Sequence, residues 1–277
     1  MEVTTVPLAL QPIAILFAAL VAKYLYLATS STRSTFFAFY CQQLANKVNN
    51  PENSSHQLVI AGGLALLVTL VPIVIILWLF ESFVDVTFIW HFILLFIALG
   101  NVRINHVIKQ VTKHVNQNAN YQAKETLTPL VLRDTSNLSA LGIVKAAIEM
   151  QLLRTFQLYA VVFWYLTFGP LAALSYRIVL EMHYCWNRKL RRFNYFGRCA
   201  EVVTYLGSWL PLRLSFLVYY FSHLSSHSVV HWQLTRSAFF SLGTNANLSI
   251  FALVNNIKLG GVAMYEKDKI RRPEFNA

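Results

Sequence analysis

The residues best equipped for chemistry stand in one short polar run. Arg133 to Leu138 reads RDTSNL and leads directly into a helical pattern and then into very apolar sequence. A guanidinium beside a carboxylate and hydroxyls can grip the phosphate or amide groups of a small polar ligand. The same run has a blander use. Asn137 or Ser139 can accept backbone N–H bonds at the start of a helix over Leu141–Met150. Ligand binding and capping therefore both stand for Asp134, Thr135 and Ser136.

Further candidates follow along the chain. Arg177 and Glu181 are four apart in a helix that otherwise reads as buried. They either neutralise each other or line a polar cavity. Arg213, inside WLPLRL, must find an anion or snorkel to the interface. Gly260 and Gly261 allow close backbone approach to a ligand, or simply end a helix. His223, His227 and His231 recur every fourth residue. On one helix they share a face, and neighbouring pairs could chelate a divalent metal. No carboxylate or cysteine lies near them, and three exposed histidines on an interfacial helix give the same pattern. Glu149 and Arg154, five apart, fall on different stripes and are not expected to pair.

The elements that must position these residues read as membrane helices. Of 277 residues, 56% are hydrophobic and only 13% charged, with a mean hydropathy of +0.48; soluble chains carry about 25% charged residues. The fold expected is all-α: one polytopic integral membrane bundle over 1–277, with four to six embedded helices and interfacial amphipathic helices. The embedded segments expected are 6–28, 58–80, 86–102, 152–186 and 201–224. The first reads as a retained anchor. Leu58 to Phe80 carries no charge, and Pro72 is expected to kink it. With the run from Thr87 it forms a hairpin whose acidic tip, ESFVDV, faces outward. Gly169-Pro170 divides 152–186 into two helices. Residues 225–263 can be read as spanning or not.

A net charge of +11 would raise nucleic acid as a partner in a soluble protein, but here no basic-aromatic module is present and nucleic acid is not expected. The cations sit between apolar runs, as the positive-inside bias requires. Residues 29–57 carry Arg33 and Lys47. Residues 101–133 carry Arg103, Lys109, Lys113, Lys124 and Arg133. NRKLRRF and the tail from Lys267 to Arg272 add more. These loops are expected to face the cytoplasm from a bacterial inner membrane. In the first loop, Phe36, Phe37, Tyr40, Leu44 and Val48 share a face that suits either the interface or packing against the bundle. The three cysteines, Cys41, Cys185 and Cys199, suggest neither disulfides nor a zinc site.

The motif RDTSNL, followed by IVKAAIE (Ile143 to Glu149), GPLAALSYR (Gly169 to Arg177), RRFNYFG, WLPLRL and KLGG (Lys258 to Gly261), resembles the CobD/CbiB family of membrane proteins in order and spacing over roughly residues 90 to 265. Before that the likeness is one of hydropathy. The resemblance implies amide joining of adenosylcobyric acid to an aminopropanol phosphate, an adenosylcobinamide-phosphate synthase type of ligase. It brings Glu149 forward as the candidate catalytic residue and Asn245, within GTNAN, as a ligand contact. It also implies a corrinoid substrate, a phosphate-bearing small molecule and a divalent cation. A lipid bilayer is the expected surrounding, and a homo-oligomer is left open.

The departures are informative. The family's acids become His183 and the pair Thr204-Tyr205, and Leu152-Leu153-Arg154 replaces an Ala-Glu-Asn step. Amide formation needs an activated acid and a base for the amine, work usually done by carboxylates. WLPLRLSFLVYY and FWYLTFGP also resemble AmpE, a relative with a proposed signalling role. A non-catalytic accessory of that kind is thus the alternative, with a transporter-like or purely structural bundle as a third reading.

Overall fold

A computed structural model describes residues 10–27, 35–100, 104–224, 227–266 and 268–276. Part of the first expected segment (6–9 and 28), Arg33 and Arg103 of the basic loops, and Lys267 of the tail lie outside them. The chain forms two compact units. One comprises Met1–Val102 with Ala160–Thr204, the other Arg103–Tyr159 with Tyr205–Ala277.

The first unit is helical. It contains α1 (Gln11–Leu27), α2 (Thr35–Val48), α3 (Ser55–Glu81), α4 (Thr87–Ala98), the end of α7 (Ala140–Phe168), α8 (Pro170–Cys185) and the start of α9 (Arg198–Ser222). Helix α8 packs against α2, α3 and α4, and α1 packs against α4. Ser54 and Gln57 form a reciprocal capping box that starts α3, which satisfies two of the N–H groups a helix start leaves open. Its 27 residues reach about 40 Å, and the helix runs on through Pro72. On one side Ala65 and Leu66 are buried with Cys41, Val179, Met182 and Trp186. On the other, Ile60, Leu64, Val68 and Ile76 are exposed. An apolar exterior on that scale suits lipid rather than water.

Helices α3 and α9 are long and apolar enough to cross a membrane; α1 and α4 are shorter. Helices α3 and α4 meet where they are connected, through Glu81 and His91 at 3.1 Å and the Phe80 and Trp90 rings at 5.2 Å, but each packs against α8 rather than along the other as the expected hairpin. Gly169, at φ +86, ends α7 before Pro170 opens α8. On α2, Phe37, Leu44 and Val48 pack inward, whereas Phe36 stays exposed, so the expected face is split between packing and surroundings. Gly62 lies so close to the Phe196 carbonyl that a Cβ would overlap it.

The second unit contains α5 (Ile104–Asn116), α6 (Asn120–Leu127), most of α7, the remainder of α9, α10 (Ser228–Phe240) and α11 (Asn245–Val254). It ends in an antiparallel hairpin, β1 (Leu259–Tyr265) and β2 (Asp268–Phe275). Val111 on α5, Ala123 and Leu127 on α6 and Ile143, Ala146 and Ala147 on α7 make one apolar cluster. Leu248 and Ala252 on α11 pack with Leu259 and Phe275 of the hairpin and with Ile148, Leu152 and Phe156 of α7. The expected all-α character holds, with this one two-stranded hairpin added to it among the described residues. Neither α10, with 13 residues, nor α11, with 10, reaches the roughly 20 residues a crossing helix needs.

Candidate functional site

The second unit carries a half-open cavity of about 340 Å³. Three pieces of chain build it: the segment before α7 with the first turns of that helix, the start of β1, and the end of β2. Arg133, Lys145 and Lys258 contribute cations, Gly260 and Gly261 contribute backbone, and Glu274 is its one acid.

The segment before α7 is held by its own polar groups. The Asp134 carboxylate accepts the Ser136 N–H and hydroxyl, each at 2.9 Å. These two bonds hold its carboxyl below the usual range. Thr135 is buried against the Thr128 hydroxyl at 2.7 Å, and Lys124 donates to the Ser136 carbonyl. Ser139 supplies the cap, accepting the Gly142 N–H at 3.2 Å. Asp134, Thr135 and Ser136 thus shape the loop, and of the hexad only Arg133 and Leu138 line the cavity. Arg133 Nη2 donates to the Gly142 carbonyl at 2.8 Å, while its buried Nε has no acceptor. Burial draws this guanidinium below its ordinary value, with Glu149 opposing.

Glu149 anchors the hairpin floor. Oε1 accepts the Gly260 N–H at 2.9 Å, and Oε2 accepts Arg272 Nη1 at 2.8 Å. Arg272 also donates to the Gly261 carbonyl. Burial works against the Arg272 cation, but the bond and charge of Glu149 more than reverse this and raise it. Both carboxylate oxygens are engaged, so Glu149 presents no free base. Gly260 and Gly261 have φ of +80 and +90, the region glycine alone enters easily. They neither end a helix nor leave space at Gly260, where a Cβ would overlap the Pro273 carbonyl. Pro273, lacking an N–H, lies opposite the register shift between Gly260 and Val262.

The other candidates lie elsewhere. Arg177 and Glu181 form the expected i,i+4 ion pair in the first unit, with the guanidinium against Gly100. In the same unit buried Lys23 donates to the Phe96 carbonyl at 3.1 Å. Arg213 is buried and donates to the Ser241 carbonyl. Asn245 opens α11. The histidines do not share one helix: α9 ends at Ser222 and α10 begins at Ser228, leaving His223 and His227 in the connection. The Ser222 hydroxyl turns back onto the Tyr219 carbonyl, one of the local bonds by which serine competes with a helix. Among the described residues no group of three His, Cys, Asp or Glu is placed to hold a metal. The cavity is lined by cations, so its donor set does not fit a divalent ion, which takes carboxylate and carbonyl oxygens.

The CobD/Cbib protein family model matches residues 16–277. This chain belongs to the CobD/CbiB family. The match begins well before residue 90, so the amino-terminal helices are part of the likeness and not similar in hydropathy alone. A cobalamin biosynthesis protein CobD of Stutzerimonas stutzeri (strain A1501) is 24% identical over 215 residues, 77% of this chain and 71% of that protein. One of the same name from Chromobacterium violaceum is 26% identical over 216 residues, 76% and 68% of the two chains. No solved structure matches.

Sequence reasoning missed Lys145, Lys258, Glu274 and Arg272. Lys145 and Lys258 lie inside the quoted family motifs, which was the available signal. Arg272 read only as part of a basic tail.

Proposed function

We propose that this chain acts in cobalamin biosynthesis and joins adenosylcobyric acid to an aminopropanol phosphate through an amide bond. The observation that carries this reading is the cation-lined cavity. Arg133, Lys145 and Lys258 surround one space, and among the described residues neither lysine has a salt-bridge partner. An aminopropanol phosphate has about nine non-hydrogen atoms; at no more than water's share of about 30 Å³ each, it fits within the 340 Å³ available. The corrinoid, several times larger, must remain at the mouth. The three cations take the phosphate, and Glu274, the cavity's one carboxylate, is the group able to receive the amine's proton; the acid must arrive activated by a phosphoryl donor such as a nucleoside triphosphate, so that its carboxyl oxygen departs as phosphate when the C–N bond forms. No step is routed through a metal, because the donors do not suit one.

The setting that accompanies this reading is a bacterial inner membrane, crossed several times by four to six embedded helices, with basic loops toward the cytoplasm. The length and apolar exterior of α3 and α9 support it, as do Lys109, Lys113, Lys124 and the NRKLRRF block.

The test is growth. Expressed in the membrane of a synthase-deletion strain supplied with cobyric acid, the chain restores growth, and Lys145→Ala combined with Lys258→Ala abolishes the rescue at equal expression. No rescue despite verified expression favours the second reading, a non-catalytic AmpE-like accessory. One observation supports that alternative specifically: Glu149, the surviving motif acid, has both oxygens occupied, and the family's Asp-Asp pair is Thr204-Tyr205.

A further inference from the structure

Arg213 presents a problem the cavity does not solve. It sits near the middle of α9 and is 3% exposed. Its Nη2 donates to the Ser241 carbonyl, but Nε and Nη1 are buried without any acceptor. Among the described residues no acid pairs with it. Trp209 and Phe239 flank the guanidinium, with ring centroids 5.8 and 5.4 Å away. Aromatic faces return only part of what desolvating a cation costs. The charge is left uncompensated.

A second feature converges on the same place. The Ser241 carbonyl belongs to the turn that leads into α11, whose N-cap, Thr244, makes no side-chain cap bond. The first-turn N–H groups of α11 lack intrahelical acceptors and carry the positive end of the helix dipole. Asn247, in that turn, donates to the Leu212 carbonyl at 3.0 Å and the Ser215 hydroxyl at 2.8 Å. This fastens the start of α11 to α9 at the level of Arg213. Beside Gly243 there is open space: apart from its own chain neighbours, no described heavy atom lies within 4 Å of where a Cβ would stand.

We propose that Arg213 and the first turn of α11 hold a phosphate-type oxyanion, either the headgroup of an anionic phospholipid or a free phosphate. A tetrahedral anion offers oxygens in several directions and so can meet guanidinium donors that do not share one edge, together with backbone amides. The site goes beyond the proposed reaction and stands whether or not the cavity takes an amine.

The test uses the full chain in nanodiscs and follows amide exchange in residues 241–248 by mass spectrometry. One arm adds inorganic phosphate to phosphatidylcholine discs; the other uses phosphatidylglycerol discs without phosphate. Slowing in the first arm identifies a free anion, and slowing in the second identifies a headgroup. At a hundred times its Kd, a ligand slows exchange through local opening about a hundredfold. Arg213→Gln, checked for wild-type helix content, loses the effect, while Lys145→Ala keeps it. No slowing in either arm with the unaltered chain overturns the proposal, as does slowing that persists in Arg213→Gln. The wild-type arms decide the matter even where Arg213→Gln does not fold.

Discussion

Replacing Glu149 by Ala should release the carboxy-terminal hairpin, and the size of the effect follows from its partners. The carboxylate holds the Gly260 N–H at 2.9 Å and Arg272 Nη1 at 2.8 Å, with Nη2 at 3.4 Å. The side chains are 8% and 21% exposed, so removing one leaves the other charge largely desolvated. Breaking such a pair costs about 3–5 kcal/mol. The partial exposure of Arg272 puts this pair at about 3 kcal/mol, roughly a hundredfold in the opening equilibrium. Hydrogen exchange at the amides of residues 260–265 should accelerate by that factor, while amides of α3 remain unaffected because local openings are independent. Glu149→Gln keeps an acceptor for Gly260 and should lose less. In Glu149→Leu with Arg272→Met no charge is left stranded, so most of the protection should return. If the apolar double variant exchanges as fast as Glu149→Ala, or if Glu149→Ala exchanges at the wild-type rate, the ion pair is not what holds the hairpin.

Gly260→Ala should lower the thermal midpoint more than Gly261→Ala. Both impose a left-handed backbone costing about 1–2 kcal/mol, but only at Gly260 does the Cβ also overlap the Pro273 carbonyl, the nearest atom at Gly261 being 3.7 Å away. Equal shifts would contradict the close approach. Likewise Gly62→Ala should destabilise the first unit, by overlap with the Phe196 carbonyl. Gly63→Ala should cost less, since it meets only the Cys199 side chain, with the sulfur at 3.2 Å; thermal melts of the two variants in detergent rank them. The Asp134 carboxyl, held low by Ser136, contributes order above its unfolded pKa and loses it as pH falls through the lower folded value. Protection of the Ser136 amide should therefore persist on acidification past the ordinary carboxylate pKa of about 3.9 and fail only below it. Loss near pH 5 would show that the Asp134 bonds do not hold the loop.

What could be read from the sequence was whatever local pattern decides. The uncharged run at 58–80 is α3, Gly169-Pro170 is a helix break, and Arg177–Glu181 is an i,i+4 pair, because each rests on neighbours within a turn or two. The lining of the cavity was legible only in part. Arg133 and the two glycines were singled out, but Asp134, Thr135 and Ser136 carry the chemistry of a loop that binds itself. The equal spacing of His223, His227 and His231 predicts a shared face only while one helix continues, and the chain stops it at Ser222.

The decisive pairing joins Glu149 to Arg272, 123 residues apart. No periodicity encodes a partner at that distance, and only the structure shows that the α7 carboxylate has its two oxygens on Gly260 and Arg272. The same geometry explains why a tail rich in Lys and Arg need not be only a topology signal. Arg272 turns back to fix the Gly260–Gly261 backbone, and that backbone, with Lys258 before it, lines the cavity together with Arg133 and Lys145. A cation at the end of the chain thereby sets the shape of a site whose motif lies near its middle. On the proposed function, weakening the anchor with Arg272→Met should therefore reduce growth rescue of the synthase-deletion strain at equal expression, even though neither anchor residue lines the cavity.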